Sequence, residues 1–210
     1  MLLTDIIATE QLPARDPGVQ LDAESICAPL TTLHARDPKL VWDAVTEQMC
    51  SLCDAESAGV SIFADFRHDE LTWFSTAGKA APFQGRRYPR RHSMCGVAFA
   101  RGQTELFLRP HLYFQWMAQA GMTIREGLVV PLLSGGEIYG ATWLMTHRRK
   151  KEFTLQDARV LELLGQAATG LIGAGTVKNQ VAQITRPMVV KDDEARTHGV
   201  SLVWLPVTSG

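Results

Sequence analysis

A chain of 210 residues, 46% of them apolar, can bury one substantial core and has little room for a second, so one domain with extensions is expected. Its 21 basic and 22 acidic residues leave a net charge of −1, which gives no electrostatic reason to bind nucleic acid; the basic cluster Arg86, Arg87, Arg90 and Arg91 is local. No apolar run is long enough to cross a bilayer and the first ten residues lack a basic leader, so a soluble, cytoplasmic protein with no membrane partner is expected.

Residues 1–36 carry Pro13, Pro17 and Pro29 among short apolar pieces and read as an N-terminal arm, with a helical turn near 21–27, that packs either on the core or on a partner. Asp37-Pro38 is an N-cap followed by proline at the first helical position, where the missing N–H costs nothing. In the helix that follows, Val41, Val45, Met49 and Leu52 share one face and Asp43 and Glu47 lie opposite, which makes it amphipathic to about Asp54. Residues 58–64 and 71–76 are rich in β-branched and aromatic residues and form an antiparallel pair across the turn at 66–70.

From 77 to 126 the pattern is irregular, broken by Gly78, Pro82, Gly85, Pro89, Gly96 and Gly102. A segment of this length inside a compact domain commonly covers a ligand site. Ser93 caps a short helix through Met94, Val97, Ala98 and Phe99; residues 105–108 suit a short strand. Pro110 opens a further helix with Phe114, Met117 and Ala118 inward.

Two apolar runs, 128–133 and 138–145, then flank Ser134-Gly135-Gly136-Glu137, whose glycines supply the positive φ angles of a tight hairpin. Strict alternation places Tyr139, Ala141, Trp143 and Met145 on one side of the second strand. Thr154 with Asp157 three residues later opens a helix that runs to about Ile172. Beyond it, 188–190 and 200–207 are apolar pieces of a C-terminal extension, residues 174–210, able to form edge strands or a docking tail.

Four cysteines are too few for a disulfide scaffold in a chain that can stabilise itself by burial, so reduced thiols are expected. Cys95, near the start of the short helix with Arg91 and His92 beside it, is either a reactive thiol favoured by the helix dipole or a small apolar residue beneath the lid. Cys50 and Cys53 have the spacing of a redox or zinc motif but no second pair to complete it, and read as packing thiols on a helix turn. His92 and His111 lie in the lid, where either could hydrogen-bond a ligand or ligate haem iron. The arginine cluster is either a solvated loop or a clamp for an anion. Trp73 and Phe74, then Phe107, Tyr113, Phe114 and Trp116, then Tyr139 and Trp143 supply more rings than a small core normally needs near one irregular segment. They suit a pocket for a planar or apolar ligand, or a filled core. No serine elbow, lysine-bearing phosphate loop or paired-histidine zinc motif occurs.

The run 128–133 with its Val-Pro-Leu centre, the Gly136-x-x-x-Gly140 hairpin and Phe153-x-x-x-Asp157 leading into a helix patterned with Leu161, Leu164, Ala168 and Leu171 resemble, in this order, the closing half of a GAF domain. The resemblance covers about residues 37–173, roughly two-thirds of the chain. It implies an α+β fold: a central antiparallel sheet of five or six strands, terminal helices on one face and an irregular lid over a pocket on the other. It implies a regulatory sensor rather than an enzyme, binding a small ligand through Trp73, Arg91, His92, Cys95, Phe107, His111, Tyr113, Phe114, Tyr139 and Trp143. No cofactor is identified. Glycine follows Cys95 where bilin-binding GAF domains usually carry histidine, and the asparagine-lysine pair of the cyclic-nucleotide subfamilies is replaced by residues 147–151.

Arg91-x-Ser93-Met94-Cys95-Gly96, Arg109-Pro110 and Glu126-Gly127-Leu128 resemble GAF domains found beside sensor histidine kinases. No kinase domain lies in these residues, so output is expected in trans, with a histidine kinase or another signalling protein as partner. The last helix is apolar over two stripes, Ala158, Leu161, Leu164, Ala168 and Leu171 on one and Val160, Leu163 and Ala167 on the next, which calls for cover on two sides. A second copy would supply one of them, hence a homodimer. The alternatives are a thiol redox enzyme acting through Cys95, similar to the free methionine sulfoxide reductases, and a ligand-free protein-interaction module.

Overall fold

Residues 6–14, 22–31, 37–64, 67–148 and 151–173 are described by the computed structural model; the apolar pieces at 188–190 and 200–207 lie outside the described residues. The sheet contains β1 (Ile6–Ala8), β2 (Ser57–Phe63), β3 (Glu70–Gly78), β4 (Arg87–Pro89), β5 (Glu105–Leu108), β6 (Glu126–Ser134) and β7 (Glu137–Thr146), in the spatial order β1-β5-β6-β7-β2-β3-β4. Every pairing is antiparallel. The five longer strands are those expected from pattern, and a three-residue strand is added at each edge. One, β1, comes from the arm and pairs Ile6 with Phe107; the other, β4, lies in the irregular half, where Pro89 sits opposite Glu70 at an edge that asks no ladder bond of it.

Both faces of the central strands are covered, and β6 and β7 are buried along almost their whole length. That is why their sequences read as apolar runs instead of clean alternation. Their hairpin closes through Gly135 and Gly136, at φ 60° and 80°, between the paired residues Ser134 and Glu137. The register then shifts between Leu132 and Leu133, which face Gly140 and Ile138, so Tyr139 is an extra residue in β7. This bulge reverses the alternation expected from sequence: Tyr139 joins the core under the helices, while Ala141, Trp143 and Met145 face the other way.

Three helices form one outer layer: α1 (Ala23–Thr31), α2 (Pro38–Leu52) and, after two shorter ones, α5 (Leu155–Ile172). Asp37 accepts from the Lys39 amide at 2.8 Å to start α2. A reciprocal capping box starts α5, with the Asp157 carboxylate accepting from the Thr154 amide at 2.8 Å and Thr154 Oγ1 accepting from the Asp157 amide. Ile26 and Leu30 of α1, Val41, Val45 and Met49 of α2 and Leu164 and Ala168 of α5 share a core with Leu128, Val130 and Leu132 of β6. The two covers that α5 requires therefore come from the sheet and from α1 and α2 of the same chain. The described parts of the arm, 6–14 and 22–31, lie on the core through β1 and α1.

The opposite face carries α3 (Met94–Arg101) and α4 (Gln115–Gln119) over a second core. Ser93 caps α3 as expected, accepting from the Gly96 amide at 3.1 Å. The single helix expected from Pro110 is divided into a 3-10 turn, Pro110–Leu112, and the five-residue α4. Phe114 breaks it with a non-helical backbone (φ −102°, ψ 87°), and its ring packs inward against Phe107; Met117 is buried, but Ala118 is exposed.

Candidate functional site: an aromatic chamber under the lid

Trp73 on β3 and Trp143 on β7 flank β2 and meet at a centroid distance of 4.9 Å. A Cβ on Gly59, the β2 partner of Trp143, would sit 2.2 Å from the indole, so glycine there is what lets this ring lie across the backbone of β2. Tyr88 on β4 meets Trp73 edge-on at 6.1 Å. Trp116 on α4 stacks on Tyr88 at 4.7 Å with the planes 14° apart, and meets Trp73 edge-on at 6.1 Å. Its indole N–H donates to the His92 carbonyl at 2.8 Å. These four rings, with Ser93, Met94, Cys95, Met117 and Met145, line a chamber of about 10 Å³. That is about the space one water needs.

Its floor is polar. Ser61 Oγ accepts from the Trp143 indole N–H at 2.9 Å and from the Tyr88 hydroxyl at 2.7 Å, and the Tyr88 oxygen lies 3.4 Å from Cys95 Sγ. All four groups are buried. Burial pushes the Cys95 thiol up to about 11, and burial holds the Tyr88 phenol well above its ordinary value. The expected pull of the helix dipole and of Arg91 and His92 is outweighed because both of those side chains point outward and are exposed, leaving desolvation to dominate. A Cβ on Gly96 would approach the Arg90 carbonyl oxygen to 1.8 Å, so the position after Cys95 has no room for any side chain.

Of the residues expected to bind ligand, Trp73, Cys95 and Trp143 line the chamber. His92 contributes its backbone carbonyl, not its ring. Arg91 borders a separate outer groove of about 340 Å³ with Arg67, Asp69, Arg90 and Gly96. Phe107 and Phe114 pack on each other in the lid-side core, 6.3 Å apart. His111 Nδ1 lies 2.8 Å from the Ile124 carbonyl and ties the loop before β6, while Tyr113 is half-buried beside it. Tyr139 is across the sheet, its hydroxyl bonded to Thr169 of α5.

Of the arginine cluster, Arg90 and Arg91 share that outer groove, whereas Arg86 and Arg87 are not among its lining residues. Arg86 lies over Phe83, Arg87 bonds the Ala64 carbonyl and pairs with Glu70 at 3.4 Å, and Arg90 covers Phe63 and Phe99. Tyr88 and Ser61 were not among the expected site residues. A single ring inside the basic run 86–91 was the available signal for Tyr88; Ser61, one small residue in a strand, offers none.

Cys53 belongs to the helix-side core and Cys27 and Cys50 pack against it, so the sheet separates all three from Cys95. Among the described residues no helix is long and apolar enough to cross a membrane.

No curated protein matches the chain in sequence. Solved structures do. The GAF domain of a phosphoenolpyruvate-protein phosphotransferase from Coxiella burnetii is similar at a TM-score of 0.60 and 16% identity, over 77% of this chain and 93% of that one. The free methionine-R-sulfoxide reductase from Neisseria meningitidis, in complex with its substrate, is similar at 0.58 and 22% identity, over 75% and 89%. The phycocyanobilin-bound GAF domain from a cyanobacterial phytochrome is similar at 0.60 and 10% identity, over 77% and 98%. At these identities the likeness is one of fold. In sequence, the profile of the GAF domain matches residues 35–172, well over half of the 210, and the chain belongs to the GAF domain family.

Proposed function

We propose that this protein is a GAF-type regulatory sensor, not an enzyme, which binds a small ligand in the aromatic chamber and passes the event to a partner through its helical layer. One observation carries the reading: four large rings surround a buried polar floor, and one of them, Trp116, is only half-buried and sits on a five-residue helix outside the sheet. A ligand that enters by displacing that ring presses on Trp73 and Trp143. Trp143 rests on Gly59 of β2, and the other face of β2 and β7 packs on α2 and α5. For this to be a signal, the ligand must favour one arrangement of ring and helices over another, since equal affinity for both shifts nothing.

A second copy of the chain, meeting α2 and α5, is the first receiver we propose, with a histidine kinase or another signalling protein beyond it. Leu40 at the start of α2 is 61% exposed and Leu163, Ala167 and Leu171 of α5 are half-buried, which supports an apolar contact on this layer. Cytoplasmic residence fits that output. The raised Cys95 thiol, separated from the other three cysteines by the sheet, supports the non-enzymatic reading over a thiol reductase. The ligand-free interaction module is the competing reading, favoured by the small volume of the chamber.

Native mass spectrometry of protein purified from its own host, with ligand-observed NMR against a small-molecule library, separates the two. A bound molecule whose contacts map to Trp73, Tyr88 and Trp143 supports the sensor. Binding that maps only to the helical layer, with the lid-side tryptophan signals unmoved, supports the module. Sedimentation of a monomer at tens of micromolar would remove the second copy from the proposal.

A further inference from the structure

Trp116 is the least buried of the four rings that line the chamber. Trp116 meets its surroundings as a bound small molecule would: one face stacked on Tyr88, an edge against Trp73, and one N–H donated to the His92 carbonyl. The other three rings of the chamber are core, Trp73 at 2%, Tyr88 at 3% and Trp143 at 1% exposure, whereas Trp116 is half-buried. Its helix has no side-chain N-cap bond and is held to the core by the neighbouring Met117, which is 1% exposed. A change of rotamer at Trp116 alone would open the place with α4 still anchored through Met117. None of the residues lining the chamber carries a charged side chain.

We infer that Trp116 is a tethered stand-in for the ligand, and that the ligand is an uncharged, flat, fused-ring heteroaromatic of indole size with a ring N–H. This rests on the sensor reading and adds the chemical class and a built-in competitor. Each feature of the class follows from a contact. The stacking face of Tyr88 selects a planar ring, as aromatic pairs at this separation do. The edge beside Trp73 requires apolar ring carbons. The His92 carbonyl, freed when Trp116 leaves, is an acceptor at the exposed rim of the chamber that favours a ring carrying an N–H by the modest gain of one hydrogen bond. A charged ring would enter a chamber with no counter-charge. The tethered indole competes at high effective concentration, so the ligand binds with an affinity reduced by the fraction of time the place stands open.

The test uses the full chain and indole itself as probe, with benzofuran as the same shape without the N–H donor. Binding is measured by calorimetry for the wild type and for Trp116→Ala. If Trp116 is docked nine-tenths of the time, its removal tightens indole binding by about tenfold. Benzofuran should bind the variant more weakly than indole does. In parallel, wild-type protein labelled with 5-fluorotryptophan is followed by fluorine NMR as indole is added, which asks nothing of a variant's folding. Displacement of the Trp116 resonance supports the inference.

A Trp116→Ala variant that keeps its far-ultraviolet circular dichroism and takes up indole no better than the wild type would overturn it. So would equal binding of benzofuran, or a Trp116 resonance that stays put while indole binds. A host-derived ligand that is charged, or that maps to the chamber with Trp116 still docked, would overturn this inference and leave the sensor reading standing.

Discussion

The reactivity of Cys95 separates a sensor from a thiol enzyme, and the structure sets its size. With the thiol pushed to about 11, roughly one molecule in ten thousand is thiolate at neutral pH, against about three in a hundred for an ordinary cysteine near 8.5. The deficit is about 300-fold. A more basic thiolate is also the better nucleophile, and a Brønsted slope of about 0.45 over this interval returns roughly a factor of 13, leaving about a 20-fold net loss. Burial adds to that, since Cys95 is only 3% exposed and reagent must wait for the lid to open.

The assay is pulsed alkylation with iodoacetamide across a pH series, read by peptide-resolved mass spectrometry, with the half-buried Cys27 as internal reference. Cys95 should react at least about 20-fold more slowly than a free thiol, with a rate still rising in strongly alkaline solution. Stability carries the same sign. A thiol whose folded value is raised contributes stability that is fully present below its unfolded value near 8.5 and is lost as pH climbs through about 11. The free energy of unfolding should therefore decline over that window. Rapid labelling with a plateau near neutrality would refute the reasoning and return the enzyme alternative.

Ser61→Ala leaves the Trp143 N–H and the Tyr88 hydroxyl buried without their shared acceptor, and should cost about 2–4 kcal/mol in chemical denaturation; a change below about 0.5 kcal/mol would show that the floor is not a network. Gly59→Ala drives a methyl into the Trp143 ring and should cost about 1–3 kcal/mol while altering the near-ultraviolet circular dichroism of the tryptophans. An unchanged spectrum would place that ring elsewhere. Tyr139→Phe removes the bond to Thr169 and should cost about 1 kcal/mol, yet leave indole binding and Trp116 fluorescence untouched because it lies across the sheet.

Much of the framework was legible in the chain alone. The caps at Asp37, Ser93 and Thr154, the glycine pair of the β6–β7 hairpin and the helical stripes depend on residues a few positions apart, and each stands where local chemistry put it. Local chemistry could also say that the rings of 73, 116 and 143 cluster near an irregular segment. It could not say which of them meet. Trp143 and Ser61 are 82 residues apart and Tyr88 and Ser61 are 27 apart, and they touch only because β2 is inserted between β7 and β3. One extra residue at the β7 bulge sends Tyr139 to the opposite face, an outcome that period-two alternation cannot foresee since it assumes an unbroken ladder. The second cover of α5 had the same character: two apolar stripes demand two neighbours, but the identity of the neighbour was decided by where α1 came to rest. Spacing along the chain determined the elements and the kinds of side chain on each face; contacts between strands and helices distant in sequence decided that three fully buried rings and one half-buried one share a chamber.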